Sequence, residues 1–164
     1  MWRIAQLPDD DTVVEMSLRL YSEDPGPVPV AAKNMRTTLE VLRRAPGRGR
    51  AVVLDIQGHV SGYALLIGFW SNELGSEICE VDELYVVPER RNRGYGSSLF
   101  TAIAQGDLWP GPAAIVLGVT PDNAAARRLY ERLGFTAAGV SMVRRLPQAY
   151  EATAALERRI DGNR

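Results

Sequence analysis

Apolar and polar positions follow two different periods along this chain, and each switch of period marks an element. Trp2 to Leu7 reads as a short opening strand that Pro8 ends. Asp9, Asp10, Asp11 and Thr12 then supply capping and dipole-favourable side chains for a helix with Val13, Met16 and Leu20 near one face. Asp24-Pro-Gly-Pro-Val-Pro29 breaks it, and a second helix sets Met35, Leu39 and Leu42 at helical spacing before Pro46-Gly47. Residues 51–56 and 60–70 read as a hairpin turning at Gln57-Gly58. A turn over 71–76 leads into a strand over 77–87, a glycine-containing loop, and a helix carrying Leu99, Phe100 and Ile103. After a loop at 106–112 comes a buried strand, 113–119. Thr120-Pro-Asp then starts a helix that Gly134 terminates, with Arg127, Arg128 and Arg132 towards its C-terminal end. A strand over 140–146 and a terminal helix over 150–160 complete the order β-α-α-β-β-β-α-β-α-β. That order predicts an α/β fold, a mixed sheet with helices on both faces, over 1–147 with a helical tail at 148–164.

With 164 residues, 46% hydrophobic and 24% charged, the chain reads as one ordinary globular domain. A formal net charge of −1 argues against a nucleic-acid binder working by bulk electrostatics. Cys79 is the single cysteine, which excludes an internal disulfide and fits a reducing compartment. No apolar run reaches about 18 residues, and the start lacks the layout of a signal peptide, so the expectation is a cytoplasmic protein without a membrane partner. One His and one Cys make a zinc site unexpected. Cys79, with no visible His partner, reads as a packed thiol, His59 as a solvated turn residue, and Arg43, Arg44, Arg48 and Arg50 as a solvated basic loop.

The most informative stretch is Leu84-Tyr-Val-Val-Pro-Glu-Arg-Arg-Asn-Arg-Gly-Tyr-Gly-Ser-Ser-Leu99. An apolar strand end runs into a basic loop, and two glycines open a helix. Backbone N–H groups at such a junction converge on one point, where the helix dipole adds positive charge and a diphosphate fits. The glycines serve equally for a tight turn alone. Thirty residues on, Asn123 and Tyr130 lie seven apart, on one stripe of a helix two turns long.

On these two motifs the chain resembles the GNAT superfamily of acyl-CoA-dependent N-acyltransferases. Arg91-Asn-Arg-Gly94-Tyr-Gly96 is similar to the family's Gln/Arg-x-x-Gly-x-Gly/Ala pyrophosphate loop. Asn123-Ala-Ala-Ala-Arg-Arg-Leu-Tyr130-Glu-Arg-Leu-Gly134-Phe135 is similar to its later Asn-x-x-Ala-x-x-Leu-Tyr-x-x-x-Gly-Phe signature. The resemblance spans roughly residues 2–146. It implies a mixed, mostly antiparallel sheet splayed at its centre, and acetyl-CoA as cosubstrate, with no metal. Arg91, Asn92, Arg93, Gly94, Tyr95, Gly96 and Ser97 would hold the diphosphate. Leu84, Tyr85 and Val86, with Val119 opposite, would flank pantetheine as a pseudo-strand, the Val86 N–H polarising the thioester carbonyl. The resemblance makes Asn123 a cofactor contact and Tyr130 the general acid for departing CoA thiolate.

An alkylammonium must lose a proton before it can attack a thioester. On Glu80-Val-Asp-Glu-Leu-Tyr-Val86, alternation puts Glu80, Asp82, Leu84 and Val86 on one face and Glu83 on the other. Partial desolvation there would raise a carboxyl towards useful basicity. Counting back from Gly94, Asp82 matches the catalytic aspartate of some aminoglycoside acetyltransferases and Glu80 the catalytic glutamate of histone-type members. Either acid also reads as part of an ion pair or as a solvated strand end. Some N-terminal-amine acetylases carry a glutamate five residues before the helix asparagine; here that position is Gly118. Trp70, Asn72 and Tyr21 are candidate contacts for the acceptor, with Glu23 and Asp24 able to attract a cation. The implied function is acetyl transfer to a primary amine of a small molecule by direct attack in a ternary complex. A protein or peptide amine is the runner-up, and a catalytically silent acyl-CoA-binding sensor the alternative of a different class. Family members often dimerise, which leaves room for a homodimer.

Overall fold

The computed structural model describes residues 1–25 and 30–139. The strand expected at 140–146 and the helix expected at 150–160 lie outside the described residues. The elements are β1 (Trp2–Ile4), α1 (Asp10–Glu23), α2 (Ala32–Arg44), β2 (Gly49–Ile56), β3 (His59–Ser71), β4 (Ser76–Val86), α3 (Tyr95–Ala104), β5 (Ile115–Leu117) and α4 (Ala124–Arg132). Single 3-10 turns occupy Leu7–Asp9 and Pro88–Arg90. The chain divides into two units, 1–134 and 135–164, and every element named here belongs to the first.

The five strands lie side by side in chain order, antiparallel throughout except for the parallel β4–β5 pair. Helices α1 and α2 cover one face, where Val13, Val14, Met16, Met35, Leu39 and Leu42 pack on Val53, Tyr63, Leu65 and Tyr85. The residues alternating with that set, Val52, Leu54, Leu66 and Val81, are buried on the other face, to which α3 brings Leu99, Phe100 and Ile103. No helix among the described residues is long and apolar enough to cross a membrane.

Three local readings need correction. The opening strand stops at Ile4, because Asp9 is drawn inwards instead of facing solvent as a dipole acid. Its carboxylate takes both prongs of the Arg3 guanidinium at 2.7 and 3.0 Å and the Gln6 N–H at 2.7 Å, and Arg3 holds it below the ordinary aspartate range. The basic loop is only partly solvated. Arg43 pairs with Asp10 of α1 at 2.6 Å, while Arg50 donates to the Leu108 carbonyl at 3.1 Å and stacks over Trp109. The fifth strand shrinks to three residues, because its only described partner, β4, is lost beyond Leu117.

The third strand pair carries the feature that matters most for the site. Leu65 lies opposite Glu83, but the next residue, Leu66, lies opposite Val81, so Asp82 has no partner on β3. Asp82 is therefore a β-bulge, an extra residue that resets the alternation of everything after it. Simple alternation would separate Glu80 from Glu83. With the bulge, Glu80 opposite Ile67, Glu83 opposite Leu65 and Tyr85 opposite Tyr63 all fall on the α1–α2 face. The sequence reading that grouped Glu80, Asp82, Leu84 and Val86 is thus overturned by one inserted residue.

Gly68 shows how closely the sheet is covered on its other side. A Cβ there would lie 2.4 Å from the buried Trp109 ring, which has no free space to withdraw into. Gly68→Ala is expected to destabilise the fold by about 1–3 kcal/mol, read from the urea midpoint. Gly47→Ala, which meets nothing within 4 Å, is the control and should shift the midpoint little.

Candidate active site

Pairing between β4 and β5 covers only Cys79–Ile115, Glu80–Val116 and Val81–Leu117. Beyond that point the strands part, and a cavity of about 870 Å³ opens between them. Its walls are Leu84, Tyr85 and Val86 on one side, residues 90–92 and 94–97 of the loop and helix start at one end, and Thr120, Asp122, Asn123, Ala126, Leu129 and Tyr130 opposite, with Leu20 and Glu23 of α1 and its C-cap Asp24 above. The far wall begins at Thr120, one residue later than the Val119 expected from sequence.

The bulge also decides which backbone groups face this opening. Before it, Cys79 turns its N–H to β5, donating to the Ala114 carbonyl at 3.0 Å. After it, Val87 donates to Ser61 on β3 at 3.0 Å, so alternation aims the backbone groups of Leu84 and Val86 at the gap. One of these, the Val86 carbonyl, already accepts from Arg91 Nε at 2.8 Å. The Leu84 groups and the Val86 N–H are the strand edge that remains.

The glycine loop closes the end of the cavity. Asn92 and Gly94 have φ of 58° and 79°, left-handed values that cost Gly94 nothing and that asparagine tolerates. The first bond within α3 runs from Ser98 N to Gly94 O at 2.9 Å, so the amides of Tyr95, Gly96 and Ser97 belong to the orphan donors of the helix start. Gly96 has a second role, since a Cβ would lie 2.9 Å from Leu129 of α4.

Arg91 lines the cavity beside the loop, with its guanidinium engaged on α1, and Arg93 does not line it. Arg91 turns back to Glu23 of α1 at 2.7 Å and lies 5.2 Å above the Tyr85 ring, whose hydroxyl donates to the same carboxylate at 3.1 Å. Arg93 is exposed and outside the cavity wall, whereas Arg90 and Arg132, which sequence reasoning passed over for this role, line it.

Asn123 caps α4, its Oδ1 accepting from Ala126 N at 3.1 Å, and its Nδ2 donates across the opening to Asp24 at 3.0 Å. Thr120 Oγ1 joins the same carboxylate at 3.2 and 3.3 Å. Tyr130 lines the cavity two turns on, edge-to-face with Phe100 at 5.8 Å, and burial raises its phenol above the ordinary 10.0. A raised phenol stays protonated and able to donate near neutrality.

The acids divide by environment. Asp82 keeps an exposed surface, yet the protein around its carboxyl raises its pKa by desolvation. Glu80 is partly buried on the α1–α2 face. Glu83, which sequence reasoning left without a role, receives the hydroxyls of Tyr21 at 2.8 Å and Tyr63 at 2.6 Å and is itself raised, mainly by burial. Only the bulge could have revealed it, and a bulge has no residue signature.

Trp70 and Asn72 are not brought to the cavity. They sit at the Ser71–Ser76 end of the β3–β4 hairpin, whereas the cavity lies where Gly62 faces Val86. The seven steps of strand from Glu77 to Leu84 separate the two ends by about 23 Å at strand rise. Cys79 is buried, its thiol pushed up to about 12 by desolvation and the nearby Glu80 charge, which makes it inert. Among the described residues no group of His, Cys, Asp and Glu side chains gathers to hold a metal.

The site thus lies where a bulged strand splays from its parallel neighbour above a glycine-opened helix, in an α/β fold. Residues 14–135 match the model of the acetyltransferase (GNAT) family, and the chain belongs to that family. A relative in Salmonella typhimurium (strain LT2), an L-methionine sulfoximine/L-methionine sulfone acetyltransferase, is 32% identical over 85 residues, 52% of this chain and 49% of its own. The chain thus spans about half the length of that curated relative. Among solved structures, an aminoglycoside N-acetyltransferase in complex with CoA superposes with a TM-score of 0.72 at 16% identity, covering 90% of this chain and 94% of that one. A ribosomal-protein-alanine N-acetyltransferase from Brucella melitensis biovar Abortus 2308 gives 0.68 at 20%, covering 89% and 99%. At these identities the structural likeness is one of fold.

The Gly96 contact yields a direct test of the loop. Gly96→Val should drive its side chain into Leu129 and the diphosphate approach, and weaken acetyl-CoA binding at least tenfold by titration calorimetry. Wild-type affinity in that variant would remove the loop from the binding site.

Proposed function

We propose that this chain is an acetyl-CoA-dependent N-acetyltransferase that acts on the primary amine of a small molecule by direct attack in a ternary complex. The observation that carries the reading is the gap between β4 and β5, edged by the backbone groups of Leu84 and the Val86 N–H and closed by the amides of Tyr95, Gly96 and Ser97. These residues fit a cosubstrate with an amide-bearing arm and a diphosphate: the strand edge pairs with amides, and the helix start with anionic oxygens. When bound, acetyl-CoA supplies an acetyl group activated as a thioester.

The chain's own residues supply the rest. Holding both reactants in one cleft removes much of the entropy barrier. The Val86 N–H is the donor placed to stabilise charge on the carbonyl oxygen. Asp82, with Glu80 second, removes the proton from the ammonium, and Tyr130 donates to the departing thiolate. Gly118 stands where a glutamate would serve N-terminal-amine acetylation, which favours a small-molecule acceptor. The methionine sulfoximine relative and the aminoglycoside enzyme of like fold add support.

Thiol release from acetyl-CoA with a panel of amines tests the activity; tight binding without turnover on any amine would favour a sensor. Asp82 works as the carboxylate, whose share grows as pH rises through its pKa. Because desolvation raises that pKa, the ascending limb should lie above the ordinary 3.8, and Asp82→Asn should flatten it and lower kcat at least tenfold. An unchanged limb in both Asp82→Asn and Glu80→Gln assigns it to the amine's own ionisation. Tyr130→Phe should lower kcat at least tenfold with acetyl-CoA affinity within twofold; unchanged turnover would remove it as the acid.

A further inference from the structure

Glu83 is absorbed by none of the roles above, yet both of its oxygens are engaged. Oε1 accepts from Tyr21 on the last turn of α1, and Oε2 accepts from Tyr63, which is fully buried on β3. A phenol has one proton. Once that proton is committed to a carboxylate, the oxygen can offer only lone pairs to its open side. Tyr21 is half-buried and so keeps such a side. Its chain neighbour Leu20 and Leu84, the neighbour of Glu83, both line the cavity, and Asp82 is the bulged residue next to Glu83 in the chain.

The geometry points to Glu83 as a positioning residue that fixes Tyr21 as a hydrogen-bond acceptor for an N–H of the attacking amine, beside Asp82. This inference rests on the acetyltransferase reading. An amine that has given one proton to the base has a single lone pair, which must face the thioester carbon. A hydroxyl free to donate would bind that lone pair and block attack. A hydroxyl whose proton is held inwards can only accept, so it takes an N–H and leaves the lone pair free. Burial and the Glu83 charge keep the Tyr21 phenol well above its usual range, so it stays un-ionised while it does so. Glu83 itself, with both oxygens occupied, is not the base.

Glu83→Gln is the near-isosteric test. The glutamine oxygen can serve one phenol; buried Tyr63 retains it, because an unpartnered buried hydroxyl is costly, and the amide N–H then reverses the bond to Tyr21. With kanamycin, 1,4-diaminobutane and L-methionine sulfone as probes, KM for any amine turned over should rise about tenfold in Glu83→Gln and in Tyr21→Phe. The double variant should be no worse than either single one, and acetyl-CoA affinity should stay within twofold. Unchanged KM, or effects that multiply in the double variant, would overturn the inference while leaving the enzyme reading intact. If Glu83→Gln fails to fold by circular dichroism, Tyr21→Phe decides alone by the same KM criterion. Should wild type turn over no amine, the enzyme reading fails, and the inference is judged by NMR of ¹³Cζ-tyrosine-labelled protein saturated with CoA. A Tyr21 signal that moves with added amine supports it, and one that stays still overturns it.

Discussion

Three residue pairs of parallel ladder hold β5 to β4, and the place where that ladder stops decides what this fold can do. Had the pairing continued past Val81–Leu117, Leu84 and Val86 would have spent their backbone groups on β5, leaving no cavity. An open strand edge is ordinarily a liability, a template for unwanted pairing. Here it is short, recessed in a cleft and partly capped by Arg91 on the Val86 carbonyl. The bulge at Asp82 acts in the same place, because it changes the parity with which β4 presents its edge. One extra residue thus aims Leu84 and Val86 into the gap, frees Asp82 from the ladder and turns Glu83 towards α1.

The last turn of α1 and its C-cap Asp24 are fastened at three separate places. Tyr21 meets Glu83 on the β4 face, Glu23 meets Arg91 and Tyr85 at the loop, and Asp24 meets Thr120 and Asn123 across the opening. The other end of α1 is pinned by Arg3 on Asp9 and by Arg43 on Asp10. A helix held at both ends fixes one wall of the cleft, to which it brings Leu20 and the polar Glu23. Long side chains at three points also tolerate small adjustments that a packed apolar contact would resist.

Much of this was legible in the residues. Period and turn chemistry place the two helices after β1, the Gln57-Gly58 hairpin with φ of 54° and 80°, and the glycine-opened helix. Gly94, Gly96, Asn123 and Tyr130 line one cavity with Leu84, Tyr85 and Val86, as their motifs suggest. What sequence could not show is register. Glu83 was set on the face opposite Glu80 because alternation is the only rule available without a partner strand, and Trp70 looked near the mouth because hairpin length relative to the cavity is a tertiary quantity. The pairing of Arg91 with Glu23 was illegible for a related reason, because only folding reveals which acid a basic loop residue takes.

That choice by Arg91 bears on how the loop treats a diphosphate. The Arg91–Glu23 pair has about two-fifths of each side chain exposed, a setting in which an ion pair contributes roughly 0–1 kcal/mol. Breaking it is therefore cheap compared with the charge-assisted bonds a diphosphate could offer. The backbone amides of Tyr95, Gly96 and Ser97 need no such exchange, because the helix start orients them in advance. On the proposed reading, fixed dipoles give the loop its direction, and Arg91 on Glu23 is a charge that a diphosphate could draw over. On the same reading, binding at the loop and the setting of the α1 end are linked through one side chain, Arg91 on Glu23.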